Sequence, residues 1–200
     1  MKTILQLNSS IFSDDGQSSK LANDFAQALR AHEPDAKLIV RDLAREPVPH
    51  LSADGFKAFV TPAAQRTAGQ QAVVDYSDAL IEELKQADVI VLGLPMYNFG
   101  VPSMLKAYFD HVARAGVTFK YTETGPIGLL ENKTVYIVAA RGGVYQGTSR
   151  DTQTHYVSNF LNFIGISEIE FVYAEGLNMG TSNQQTALSK ARSEIQRLAA

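Results

Sequence analysis

The stretch DVIVLGLPMYNFGVP, Asp88 to Pro102, decides the fold. Its first half, Asp88 to Leu94, is apolar at nearly every position. A strand apolar throughout is one covered on both faces, as in a parallel sheet sandwiched between helices, so this strand should be central. The run then breaks into Pro95, Met96, Tyr97, Asn98, Phe99 and Gly100. Pro102 suits the first turn of a helix, and Leu105, Tyr108, Phe109 and Val112 continue at helical spacing up to Gly116. Aromatic residues at such a turn serve neither strand nor helix. They mark either a ligand surface or packing against neighbouring helices or a partner chain.

Working outward, the same alternation recurs on both sides. Thr3 to Leu7 is a compact apolar run, followed by the turn-rich NSSIFSDDGQSS and a helix carrying Leu21, Phe25 and Leu29 at every fourth position. Ser18 or Ser19 is the expected N-cap of that helix, and Pro34 ends it. KLIVRDL is a second strand. The proline-rich segment from Ala44 to Gln65 is a long connection with room for a short helix, and an amphipathic helix follows from about Thr67 to Gln86, with Val73, Leu80 and Leu84 on its apolar side. Beyond the central strand, GVTFKYTETGPIGLLENK reads as loop. TVYIVAA is a fourth strand ending in RGG, and a helix marked by Val157, Phe160, Leu161 and Ile164 closes at Gly165. EIEFVYAEG is the fifth strand and Ser182 to Leu198 the last helix. Strand and helix alternating five times imply parallel strands with right-handed crossovers, read here as one domain spanning residues 1–200. The predicted class is α/β: a flavodoxin-like, doubly wound, five-stranded parallel sheet of order 2-1-3-4-5 with helices on both faces. In that order ligands bind where the loops after strands 1 and 3 part, joined by the loop after strand 4.

Composition removes several function classes. A net charge of -3 lacks the basic footprint that a nucleic-acid binder needs. With no cysteine there is no disulfide, thiolate metal site or thiol catalysis, and a reducing compartment is expected. The N-terminal MKTILQLNSS is too short in its apolar part for a signal core or a membrane span, so a cytoplasmic chain starting directly in a strand is expected. Neither G-x-S-x-G nor G-x-x-x-x-G-K-[ST] occurs, and no G-x-G-x-x-G follows the first strand. His32, His50, His111 and His155 stand outside any nucleophile motif and read as surface or structural residues. Asp14 and Asp15 come too late after strand 1 for a response regulator's acidic site. No metal site is expected.

Each of the three loops at the switch point has its own chemistry. The first, NSSIFSDDGQSS, places hydroxyls, a glycine and an amide before a helix whose first N–H groups lack internal partners, which is an anion site without formal charge, or else a capped helix with a solvated loop. The third, RGGVYQGTS, has Gly142 and Gly143, which let a flat ligand approach the backbone or make a tight turn. The second sets Met96, Tyr97 and Phe99 around Asn98, a lip suited to a large planar heteroaromatic.

PMYNF at 95–99, YFDHVARAGVTFKYTETGPIGL at 108–129, RGG at 141–143, FLNFIGI at 160–166 and AEG at 174–176 together resemble the FMN-dependent NADH-azoreductases, also described as NADH:quinone oxidoreductases. The similarity runs over essentially the whole chain. It implies non-covalent FMN, a homodimer with two active sites at the subunit interface, and two-electron transfer from NADH through FMN to quinones and azo compounds, with ping-pong kinetics. It implies that Ser10, Gly16, Gln17 and Ser18 face the phosphate end of FMN. Met96, Tyr97, Asn98 and Phe99, with Ala140, Arg141, Gly142 and Gly143, would border the isoalloxazine. Phe119, Tyr121, Tyr145 and Phe163 would line the substrate pocket. Three positions depart from the family pattern: Gly16 and Ala140 stand where serine is common, and Tyr145 where His is often found. No acid–base residue is assigned, because the flavin carries the redox chemistry and protons can come from solvent. The alternatives are a one-electron flavodoxin-like carrier, or a flavin-binding regulatory protein without turnover.

Overall fold

The computed structural model describes residues 1–200. Five strands, β1 (Thr3–Asn8), β2 (Lys37–Asp42), β3 (Val89–Pro95), β6 (Thr134–Ala140) and β7 (Glu168–Ala174), form one sheet in the order β2-β1-β3-β6-β7, every neighbour parallel. This is the expected 2-1-3-4-5 winding. The register sets Leu5 between Ile39 and Ile90, and Leu92 between Leu7 and Ile137, so one face is a continuous apolar ladder.

Helices α3 (Ala68–Gln86), α4 (Ser103–Val112) and α5 (Thr152–Ile164) contribute Leu80, Ile81, Leu84, Leu105, Phe109, Val157 and Leu161 to the core on that face. Helices α1 (Gln17–His32) and α6 (Thr181–Ala199) cover the other with Leu21, Phe25, Ala191 and Ile195 against Ile4, Val91, Val138 and Val172. Each fully buried Leu, Ile, Val or Phe contributes about 1.5–3 kcal/mol relative to exposure, so two dry layers account for most of the driving force. The short α2 (Ala53–Val60) lies in the proline-rich connection, with Ser52 accepting the N–H of Gly55 as its cap.

Three local expectations are corrected. Residues 119–128 are not loop: β4 (Phe119–Thr122) and β5 (Gly125–Gly128) pair antiparallel as a ribbon, tied to the end of α5 where Leu129 and Leu130 donate to the Ile164 carbonyl at 3.1 and 2.9 Å. The cap of α1 is Gly16, not Ser18 or Ser19; Lys20 donates to the Gly16 carbonyl at 3.0 Å, and the two serines already lie inside the first turn. Helix α4 ends at Val112 rather than reaching Gly116, because Thr118 turns back on it and donates its hydroxyl to the Val112 carbonyl at 2.6 Å.

Candidate functional site

Parallel strands put the loops after β1, β3, β6 and β7 at one edge of the sheet. There a cleft of about 460 Å³ is lined by Met96, Asn98, Phe99, Gly142, Gly143, Tyr145 and Asn178. No charged side chain lines it.

The loop after β3 is a tight turn. Tyr97 and Gly100 exchange backbone hydrogen bonds at 3.2 and 2.9 Å, which forces the two residues between them into the left-handed region, with φ of 50° at Asn98 and 61° at Phe99. Two left-handed central residues define the turn that joins adjacent antiparallel segments with matching twist. Asn tolerates this conformation; Phe does so at a cost of about 1–2 kcal/mol. Tyr97 leans away from the turn to the first loop, its hydroxyl 3.2 Å from Ser10 Oγ and accepting the Ile11 N–H at 3.3 Å. One phenol therefore joins the first two loops. The Asn98 and Phe99 N–H groups have no hydrogen-bond partner within the protein.

Around α1 the donors are equally unengaged. The N–H groups of Gln17, Ser18 and Ser19 are free, as the first turn of any helix leaves them. The Ser18 and Ser19 hydroxyls are buried and also lack a partner. Ser10 is buried, and its Oγ accepts the Phe12 N–H at 3.2 Å. It also occupies the space beside Gly16: a Cβ at that position would fall 2.2 Å from Ser10 Oγ and 2.6 Å from its Cβ. Glycine and serine at these two positions are thus one packing solution.

In the loop after β6, Gly142, Gly143 and Val144 have free N–H groups. Side chains at the two glycines would run into Asn178 Nδ2 at 2.6 Å and the Tyr145 hydroxyl at 2.6 Å, so the backbone itself forms the cleft wall. The rings of Tyr145 and Phe99 meet edge-on, 5.6 Å apart.

Arg141 is placed differently from its neighbours. Its side chain is 0 % exposed and ion-paired to Asp151 at 2.8 Å and Glu175 at 3.0 Å, with the Tyr173 ring 5.2 Å away. Its N–H donates to Ala174 and its carbonyl accepts from Leu177, so no group of this residue is left for a ligand. Burial raises the carboxyl pKa of Asp151, but the bonds from Arg141 and Thr154 outweigh it and hold the group below the usual carboxylate range. Ala140 packs its methyl among the apolar side chains facing α1 and α6, while its carbonyl accepts the Met96 N–H at 3.1 Å.

The structure brings together Ser10, Gly16, Gln17 and Ser18 at one end of the loop cluster, with the Tyr97 hydroxyl reaching Ser10, and Met96, Asn98, Phe99, Gly142, Gly143 and Tyr145 at the cleft. It keeps Phe119, Tyr121 and Phe163 apart from the cleft within the same chain. Phe119, 7 % exposed, packs on Phe163 at 4.3 Å and on Tyr121 at 5.4 Å, and Tyr121 is 72 % exposed. Asn178 was missed by sequence reasoning, as were Glu175 and Gln153. The loop after β7 ends at the same sheet edge and carries Gly176 and Gly180 at positive φ, which was the available signal for the first two.

The family described as having a flavodoxin-like fold matches residues 2–199. An FMN-dependent NADH:quinone oxidoreductase of Cellvibrio japonicus is 59% identical over 98% of this chain and 98% of its own. The chain belongs to this flavodoxin-like oxidoreductase family. A second FMN-dependent NADH:quinone oxidoreductase, from Alcanivorax borkumensis, is 58% identical over 96% of this chain and 97% of its own. Among solved structures, an FMN-dependent NADH-azoreductase from Bacillus anthracis str. Ames Ancestor in complex with FMN superimposes with a TM-score of 0.88 at 27% identity, each chain covered in full at 100%. An azoreductase of Bacillus anthracis str. Sterne gives 0.91 at 27% identity, covering 100% of this chain and 99% of that one. This oxidoreductase keeps its loop cluster at the switch point of the sheet, between β1 and β3.

Proposed function

We propose that the protein is an FMN-dependent oxidoreductase that passes two electrons from NADH to quinones and azo compounds, working in the cytoplasm as a homodimer with the whole chain as one FMN-binding unit. The observation that carries this reading is the donor set. Free N–H groups at 17–19, 98–99 and 142–144 and two orphaned serine hydroxyls converge on one sheet edge beside a cleft walled by glycine backbone and aromatic rings. A planar cofactor with an anionic tail is the class of ligand that such a donor set suits, and the names of the full-length relatives agree with it.

When bound, FMN would supply the two-electron redox chemistry between NADH and the acceptor. The rest falls to the protein. Gln17, Ser18 and Ser19 N–H groups, at the positive end of α1, would hold the phosphate without a cationic side chain. The N–H groups of Gly142 and Gly143 would stabilise the negative charge that reduction places on the ring, as an oxyanion hole does. Asn98 and Phe99 would border the ring on the opposite loop. Arg141 would act only through its neighbours, since its own groups are all engaged. In the homodimer, Phe119, Tyr121 and Phe163 would border the partner's cleft rather than their own.

The test is the visible spectrum of the purified protein, followed by NADH added without oxygen. Two-electron bleaching reversed by benzoquinone is expected, with sedimentation at twice the chain mass. A colourless protein with no heat of binding to added FMN would sink the proposal, and a long-lived semiquinone would point to a one-electron carrier instead.

A further inference from the structure

Helix α5 starts against the turn after β3, and its second residue, Gln153, is 0 % exposed. The amide of Gln153 makes three hydrogen bonds. Its Oε1 accepts from Arg141 Nε at 3.2 Å; its Nε2 donates to the Pro95 carbonyl at 2.8 Å and to the Gly100 carbonyl at 3.0 Å. Arginine can only donate and carbonyls can only accept, so the amide has one permitted orientation. Arg141 is itself fixed by Asp151, Glu175 and Thr154. The buried guanidinium thereby sets which way Gln153 faces.

The two carbonyls that Gln153 holds lie at the entrance and exit of the turn after β3. Between them stand Asn98 and Phe99 in left-handed backbone, a conformation that persists for such residues only where the surroundings over-determine it. Thr152 adds to the restraint by donating its hydroxyl to the Phe99 carbonyl. The N–H groups of Asn98 and Phe99, which this turn leaves without a partner, lie in the stretch that borders the cleft.

We infer that Gln153 is a positioning residue: its amide, oriented by Arg141, clips the 95–100 segment into the strained turn that presents the Asn98 and Phe99 N–H groups to the flavin. The inference rests on the FMN reading above. Gln153 touches neither cofactor nor substrate, and it acts by holding the two ends of the turn at a fixed separation.

Gln153→Glu tests this with almost no change of volume. The carboxylate still accepts from Arg141 but sets an oxygen against the Pro95 and Gly100 carbonyls, turning two attractions into repulsions. Gln153→Met removes all three bonds at similar volume. Amide hydrogen exchange of the FMN-free proteins should rise about tenfold at Tyr97 and Gly100, whose N–H groups close the turn, in both variants, with β1 and β3 unchanged, and the FMN dissociation constant from fluorescence quenching should rise by a similar factor. Three results overturn the inference: unchanged exchange at the turn, faster exchange there with unaltered FMN affinity, or a uniform loss of protection across the sheet in both variants. If the unsubstituted protein fails to bind FMN, the flavin reading falls, while exchange at Tyr97 and Gly100 still decides whether Gln153 is the clip.

Discussion

Single side chains carry two consequences that can be measured directly. Ser10 fills the space where Gly16 would bear a Cβ, with its own Cβ at 2.6 Å, so rotating the hydroxyl alone does not relieve the contact. Gly16→Ala should therefore displace the first loop, costing about 1–3 kcal/mol in urea unfolding and weakening FMN binding by about tenfold in a fluorescence titration. The double variant Gly16→Ala, Ser10→Gly should recover much of the stability. His111 gives a pH signature. Burial against the rings of Phe59 and Tyr76 lowers its imidazole pKa, partly offset by the bond to the Pro49 carbonyl and by nearby Asp110. Between the lowered folded value and the ordinary value of about 6.5, the unfolded chain binds a proton that the folded chain does not. That part of the stability is present above about pH 6.5 and is lost as pH falls through the window, so the melting temperature of His111→Asn should depend less on pH between about 7 and 5 than that of the unsubstituted protein. At this scale the sequence was legible where chemistry is carried by residue type, as in the MYNF lip and the paired glycines. It was not legible at Arg141, since an RGG motif looks the same whether its arginine faces a ligand or is folded onto Asp151 and Glu175 from later in the chain.

Among the elements, the five long strands were legible because each carries clustered or alternating apolar residues, mostly buried in β1, β3 and β6 and only half-buried at the edge in β2, and parallel pairing follows from the helices between them. The β4–β5 ribbon was not. Its strands are four residues each and mostly exposed, so they have no buried alternation to read. What holds the ribbon is close backbone contact: a Cβ at Gly128 would lie 2.0 Å from the Gly165 nitrogen and 2.2 Å from its Cα, and Gly165 caps α5 at φ 106°. Neither backbone can give way cheaply. Gly128→Ala should lift the ribbon from α5, break the Leu129 and Leu130 bonds to Ile164, and lower stability by about 1–3 kcal/mol, with proteolytic nicking near Glu123 appearing in the folded state. By contrast, the box at the start of α3, where Thr67 and Gln70 exchange hydrogen bonds at 3.2 and 3.1 Å, is remote from the cleft. Thr67→Ala should cost about 1 kcal/mol in thermal melts and leave FMN affinity unaltered.

For the molecule as a whole, the distribution of charge separates an enzyme acting on flat neutral acceptors from a carrier that docks on protein partners. A carrier needs a strong field of one sign to steer its encounters, and those encounters slow steeply as salt screens the field. This chain has 18 basic and 21 acidic residues, a formal net charge of -3, and no charged side chain lining the cleft. Several charges are also paired among themselves, as Arg45 is with Asp14 beside the first loop and Arg192 with Asp24 on the α1–α6 face. The acceptor half of the reaction with a neutral quinone should accordingly be almost indifferent to ionic strength. Raising salt from about 0.01 to about 1 M shortens the Debye length from about 30 to about 3 Å and removes any long-range steering. Across that range kcat/KM for an uncharged benzoquinone should change by less than about threefold, an amount typical of weakly steered association. Parallel lines in reciprocal plots at several NADH concentrations should accompany it, as expected when one cleft serves both substrates in turn. A charged protein acceptor steered to the cleft would instead slow by about a hundredfold over the same range, and such a fall, with the benzoquinone rate unchanged, would favour a docked protein partner over a small molecule entering between Phe99 and Tyr145.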